Sequence, residues 1–180
     1  MRTGRAVLYP IYKTTFERHV ENMGRPDVYR ESMIQFAKAA SRSVDFLETR
    51  SDIQATHLGY YGMSLGANLG PVVMALDPRI KAGVLVAGGL SSERLAPEIN
   101  TVNFAPRARA PVLMLGGRYD FVTPLATLQQ PMFQLLGTRE ADKRFIQFES
   151  GHVPPLGDWM RETLNWFDHY LGPVTSDRVR

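Results

Sequence analysis

The chain has 180 residues, is 44% apolar and carries a net charge of +3, which is ordinary for one globular domain with a substantial core. Its Lys and Arg residues are scattered among Asp and Glu, so we expect no nucleic-acid partner. The lack of cysteine excludes disulfides, a thiol nucleophile and cysteine-ligated metals. No apolar stretch is long enough for a membrane span and no export signal precedes the first apolar run, so we expect a cytoplasmic protein without a membrane partner.

Apolar runs alternate with helical patterns along the whole chain. The predicted strands are residues 6–9, 58–61, 83–87, 112–115 and 145–148. The predicted helices are a long one opening at Pro26, then 65–76, 124–136 with a kink at Pro131, and 159–171. The strand runs are apolar throughout, which is typical of parallel strands buried on both faces. We therefore predict a single α/β domain over residues 1–180, a three-layer α/β/α arrangement with a mainly parallel sheet of about five strands, and a frayed tail at 173–180.

Ser64 lies in the sequence Gly62-Met63-Ser64-Leu65-Gly66, between a predicted strand and a predicted helix. This pattern is typical of a nucleophile elbow, a turn so sharp that small residues are expected two positions before and two positions after the serine. The elbow leaves the hydroxyl exposed above the sheet. The alternative is that Ser64 is only a small residue in a tight turn.

Asp120 and His152 each follow the end of a predicted strand. The carboxyl ends of parallel strands meet at one edge of the sheet, so these two residues and Ser64 are expected there together. A histidine can accept the serine proton, and a carboxylate can orient the histidine, which makes Ser64, Asp120 and His152 a candidate catalytic triad. The alternatives are a turn or capping role for Asp120 and an ordinary loop position for His152. The four histidines show no metal-ligand spacing, so we expect no metal.

The chain resembles the α/β-hydrolase superfamily, in the branch of dienelactone hydrolases, acyl-peptide hydrolases and related esterases. The motifs that carry the resemblance are residues 62–66, 116–124 and 151–154. Segments 4–10 and 148–155 are also similar to hydrolase domains at the C-terminal end of some bacterial multidomain proteins that carry a kinase-like domain. The resemblance implies hydrolysis of an ester or amide through an acyl-enzyme, without a cofactor. From its place at the start of the predicted helix, the backbone N–H of Leu65 is expected to donate to an oxyanion, assisted by the helix dipole, and Met63 is expected beside the substrate.

The chain departs from this superfamily in its first part. In members, a segment like 6–10 is the fourth strand; the third strand lies between it and the elbow strand, and the following loop supplies a second oxyanion donor. We therefore expect either that segment 6–10 moves beside the elbow strand or that a homodimer completes the sheet. In the first case a backbone N–H of residues 11–13, or the Tyr12 hydroxyl, replaces the missing donor; the alternative is that Tyr12 is a packed aromatic.

Segment 91–110, where relatives often bear a lid, is short and lacks an amphipathic helix. An open, shallow pocket follows, which favours a carboxylesterase acting on small, short-acyl esters. The alternatives are an acyl-peptide hydrolase-like peptidase and a catalytically impaired fragment that serves as an interaction module. For an enzyme, we expect activity to rise with pH as His152 loses its proton.

Overall fold

The computed structural model describes residues 4–174, and its centre is a parallel sheet of four strands. The strands lie side by side in chain order: β1 (Leu58–Met63), β2 (Ile80–Val86), β3 (Val112–Gly117) and β4 (Lys143–Phe148). All three neighbouring pairs are parallel, so the carboxyl ends of the four strands lie at the same edge. The predicted three-layer α/β class is confirmed as a truncated form with four strands rather than about five.

Helices cover both faces of this sheet. They are α1 (Pro26–Glu48), α2 (Leu65–Leu76), α3 (Gln130–Leu135), which directly follows a π-helical turn at Leu125–Gln129, and α4 (Leu156–Leu171). The expected helix over 124–136 is divided in the structure: the π-helical turn ends at Gln129, and Pro131 lies in the first turn of α3. Within residues 4–174, no helix combines the length and the apolar character that crossing a bilayer requires.

The core consists of two apolar clusters, one on each face of the sheet. Alternate residues of β3 enter different clusters: Val112 and Met114 pack toward α1, α2 and α3, whereas Leu113 and Leu115 pack toward α4. All four are at most 1% exposed. Because both faces are covered, the strand shows no alternation of polar and apolar residues, as expected for a central parallel strand.

The expected relocation of segment 6–10 beside β1 is wrong. The segment forms no strand, and β1 is an edge of the described sheet. Side chains before and after the segment hold it elsewhere. The Arg5 guanidinium binds Asp168 and the Gly172 carbonyl at the end of α4, and the Tyr12 ring stacks on Phe36 of α1 with 3.9 Å between ring centroids. A four-residue run closed by a proline offers few ladder hydrogen bonds to compete with these contacts.

The unpaired edge of β1 leads to a prediction about self-association. We expect two copies to associate along this edge, because it leaves backbone N–H and C=O groups unpaired and Tyr61 on it is 43% exposed. Sedimentation velocity should then show a dimer that Tyr61→Lys dissociates. Phe46→Lys, which changes an exposed aromatic on α1, should leave the dimer intact. A wild-type monomer at all concentrations would contradict the prediction.

Candidate active site

Ser64 connects β1 to α2 in a backbone conformation that non-glycine residues rarely adopt, with φ 50° and ψ −112°. Such strain costs about 1–3 kcal/mol and persists only where the surroundings hold it. Here the Ser64 N–H donates to the Val86 carbonyl of β2 at 2.8 Å, and the Ser64 carbonyl accepts from the Asn68 N–H of α2 at 2.9 Å. The turn is therefore fixed to the neighbouring strand and to the helix that follows.

Two glycines flank the serine, but only Gly62 is required by the space around it. A Cβ on Gly62 would lie 2.4 Å from the Gly66 carbonyl oxygen, which is shorter than any normal contact. A Cβ on Gly66 would meet only the Tyr60 hydroxyl, at an ordinary 3.8 Å. The space therefore requires glycine at Gly62, whereas at Gly66 it also admits a Cβ.

The Asp120 carboxylate is 3% exposed and accepts hydrogen bonds from within its own loop. Its Oδ1 accepts from the backbone N–H groups of Val122 and Thr123 at 2.8 and 2.9 Å, and its Oδ2 accepts from the Thr123 hydroxyl at 2.5 Å. Burial by itself raises the pKa of Asp120, but the hydrogen bonds from Thr123, His152 and Val122 outweigh it, so the pKa lies below its usual value. Asp120 thus orders its own turn, as the alternative interpretation had it, and also contacts His152.

His152 lies between the other two candidates. Its Nδ1 is 2.8 Å from Asp120 Oδ2, and its Nε2 is 3.0 Å from Ser64 Oγ. An ionised carboxylate only accepts hydrogen bonds, so Nδ1 carries the proton and donates to Asp120. In the neutral ring, Nε2 is then free to accept the hydrogen bond that the Ser64 hydroxyl donates. The structure brings all three residues together in the order that proton transfer from the serine requires.

The loops after β3 and β4 are joined to each other, which the sequence did not reveal. The Arg118 and Tyr119 N–H groups donate to the Phe148 and Ser150 carbonyls at 2.9 and 3.0 Å. A Cβ on Gly117 would lie 1.8 Å from the Gly151 carbonyl oxygen, so only glycine permits this approach. In the sequence, the Gly116-Gly117 pair shortly before Asp120 was the one feature that could have indicated this close approach.

Thr123 and Gln129 also support the acid loop, and neither was predicted. The Thr123 hydroxyl bonds Asp120, and the fully buried Gln129 amide donates to backbone carbonyls of the loop. The spacing of Asp120 and Thr123 suits a local turn, which could have indicated the first contact. A lone glutamine in a helical pattern carries no comparable signal.

The three residues expected around the substrate lie in different surroundings. Leu65 is the first residue of α2, where N–H groups have no partner inside the helix and the helix dipole favours negative charge. The Met63 side chain packs against the cluster beneath α4. Tyr12 stacks on Phe36, and burial, followed by the nearby Tyr9, raises the pKa of its hydroxyl to about 12. The placement of Tyr12 agrees with a packing role, and its use as an oxyanion donor stays a prediction.

The surface beside the triad is open and apolar. The residue that follows each triad member is an exposed apolar side chain: Leu65 is 38%, Phe121 85% and Val153 52% exposed. Within residues 4–174, no three or more His, Asp or Glu side chains are grouped so that they could hold a metal ion. The arrangement places the Ser64 hydroxyl, hydrogen-bonded to His152, beside these exposed apolar side chains.

Comparison with known proteins identifies the fold. No protein-family model and no curated protein matches the chain. Among solved structures, a cold-adapted esterase from an Arctic intertidal metagenomic library superimposes with a TM-score of 0.66 at 24% identity, over 81% of this chain and 64% of that protein. A Klebsiella pneumoniae protein named as a candidate dienelactone hydrolase gives 0.66 at 24% identity, over 77% and 62%. An acetyl xylan esterase from Paenibacillus sp. R4 gives 0.67 at 20% identity, over 78% and 54%.

This chain therefore spans about three fifths of the length of such neighbours, which are esterases or a hydrolase. At these identities the likeness shows a shared fold. The expected resemblance is confirmed at that level: the chain has an α/β-hydrolase-like fold.

The elbow glycines provide a matched pair of variants. Gly62→Ala should lower the melting temperature and abolish any Ser64-dependent activity, because its Cβ would collide with the Gly66 carbonyl. Gly66→Ala should keep the wild-type activity and either keep the melting temperature or gain up to about 1 kcal/mol in stability, because alanine has a higher helix propensity than glycine. Thermal unfolding and ester hydrolysis measure both effects. Equal losses in the two variants would contradict the elbow geometry.

The low pKa of Asp120 predicts how the protein responds to acid. The folded pKa lies below the unfolded value of about 3.9, so the ionised carboxylate stabilises the fold fully above that pH and loses this contribution as the pH falls through the folded pKa. Urea unfolding from about pH 6 to pH 3 should therefore show a stability difference between wild type and Asp120→Asn that shrinks in acid. Thr123→Val, which removes a donor to the carboxylate, should lose stability at a higher pH than wild type. A pH-independent difference would contradict the assignment.

Proposed function

We propose that this chain is a serine hydrolase, specifically a carboxylesterase that cleaves small, short-acyl esters through an acyl-enzyme on Ser64. The observation that carries the proposal is the unbroken hydrogen-bonded series from Ser64 Oγ through the His152 ring to Asp120, with separations of 3.0 and 2.8 Å. The strained elbow at Ser64 adds support, because backbone strain of this kind is concentrated at functional sites.

The proposed reaction has two proton-coupled halves. Ser64 Oγ attacks the acyl carbon while its proton passes to His152 Nε2, and the oxyanion that forms is placed near the Leu65 N–H. The bond from the acyl carbon to the alcohol oxygen then breaks, and the imidazolium gives its proton to the departing alkoxide. The acyl group stays bound to Ser64. Water then attacks the acyl carbon while its proton passes to His152 Nε2. The bond from Ser64 Oγ to the acyl carbon breaks, Oγ takes the proton back from the imidazolium, and the carboxylic acid leaves. Asp120 stays ionised throughout and stabilises the imidazolium.

The chemistry around Ser64 favours esters over peptides. Only one oxyanion donor, the Leu65 N–H, is assigned, and the loss of one donor typically costs about 10²–10³-fold in rate. Ester cleavage tolerates such a loss better than amide cleavage, because the alkoxide is the better leaving group. The apolar surroundings of the triad and the lack of a lid helix in segment 91–110 support a small uncharged substrate. A peptidase is the second candidate, and a module without activity is the third, motivated by the same missing donor.

Burst kinetics test the proposal. With nitrophenyl acetate or butyrate, wild type should release a burst of nitrophenolate that corresponds to acylation, and longer acyl chains should react more slowly. Ser64→Ala should abolish the burst and lower turnover by at least about 10³-fold. Ser43→Ala, which removes a hydroxyl that bonds within α1, should leave both unchanged. No acylation of the folded wild type would favour the interaction module.

A further inference from the structure

Gln129 is a fully buried polar side chain that the proposed chemistry does not use. It is the last residue of the π-helical turn Leu125–Gln129, just before α3. Its Nε2 donates to the Gly117 carbonyl at 3.0 Å and to the Thr123 carbonyl at 2.7 Å. These two carbonyls lie three residues before and three residues after Asp120, so one amide group joins both ends of the loop that holds the carboxylate.

The other hydrogen bonds of the acid loop each act on one part of it. Those from Val122 and Thr123 to Asp120 lie within residues 120–123, so they set the carboxylate relative to its own turn. The backbone bonds from Arg118, Tyr119 and Asp120 attach the first half of the loop to the ends of β3 and β4. Gln129 bonds both Gly117, the last residue of β3, and Thr123 at the second end of the loop.

The fold alone would not favour glutamine here. Gln129 Oε1 is buried and has no hydrogen-bond partner in the described part of the chain. An unpaired buried acceptor costs about 1–3 kcal/mol, which an apolar side chain of the same size would avoid. A Cβ on Gly116 would lie 1.9 Å from the same oxygen, so a side chain at position 116 would have to displace the amide. The two hydrogen bonds donated by Nε2 therefore point to a role for this glutamine in fixing the position of the loop.

We propose that Gln129 is a positioning residue for the triad: by joining the ends of loop 117–123, it keeps Asp120 within hydrogen-bond reach of His152. Its effect on catalysis rests on the proposed function. Its effect on the contact between Asp120 and His152 is independent of that function, and it can be measured even if the protein has no hydrolase activity.

The test compares two variants that each remove a buried donor. Gln129→Met keeps the size of the side chain and removes both of its hydrogen bonds. Thr138→Val removes a buried donor elsewhere: the single Thr138 hydroxyl proton is shared between the Ala108 and Ala110 carbonyls, which lie 3.2 and 2.7 Å from the oxygen, before β3 begins. Both variants lose a buried donor that contacts two backbone carbonyls, but only the first should disturb Asp120.

The primary readout is the proton NMR signal of His152 Nδ1–H, which lies far downfield when the proton is held against a carboxylate. Wild type and Thr138→Val should show this signal, and Gln129→Met should lose or shift it. In ester hydrolysis, Gln129→Met should lower kcat by about 10- to 100-fold with little change in KM, as a displaced catalytic group does. Thr138→Val should change kcat less than about 2-fold even if its melting temperature falls.

Other outcomes overturn the inference. If Gln129→Met shows the wild-type NMR signal and the same kcat as Thr138→Val, then Gln129 only fills space. If the folded wild type lacks the signal, the hydrogen bond between His152 and Asp120 that Gln129 is proposed to maintain is absent. If Gln129→Met does not fold, Gly116→Ala displaces the same amide from the other side and should lose the signal as well. A wild type that shows the signal but never acylates would refute the proposed function and leave the NMR comparison to decide the role of Gln129.

Discussion

The close approach of two backbone segments at Gly117 is the constraint on which the rest of the candidate site depends. The loop after β3 passes the loop after β4 so tightly that a Cβ on Gly117 would lie 1.8 Å from the Gly151 carbonyl oxygen. Hydrogen bonds from Arg118 and Tyr119 hold the two loops in that register. This contact brings the loops of Asp120 and His152 together, although the two residues are 32 positions apart in the chain.

The electrostatics of Asp120 follow from the same geometry. A buried carboxylate is costly unless its oxygens accept hydrogen bonds, and here the donors are supplied by the turn that the loop adopts and by His152. They hold the pKa of Asp120 below its usual value against the effect of burial. The negative charge is therefore retained where an imidazolium would form. The strained turn at Ser64, on the far side of His152, is held independently by β2 and α2.

The sequence predicted the parts of the fold that depend on patterns within one segment. Apolar runs identified β1 to β4, and because parallel strands end at a common edge, three residues far apart in the chain could be placed together. The run at 6–9 was wrongly assigned to the sheet, since its apolar pattern cannot show that Arg5 and Tyr12 anchor it to α4 and α1. The supports at Gly117 and Gln129 were missed for a related reason: the first depends on a close approach to the loop after β4, and the second on a side chain that folds back onto the preceding loop.

The central claim is that Ser64 is a nucleophile activated by His152, and a fluorophosphonate tests it most directly. The purified chain would be treated with the reagent, digested, and mapped by mass spectrometry. The account predicts one phosphonyl adduct, on Ser64, formed slowly or not at all in His152→Ala, because a serine without its base is a poor nucleophile. A folded protein that gains no adduct on Ser64, or gains one equally fast without His152, would contradict it.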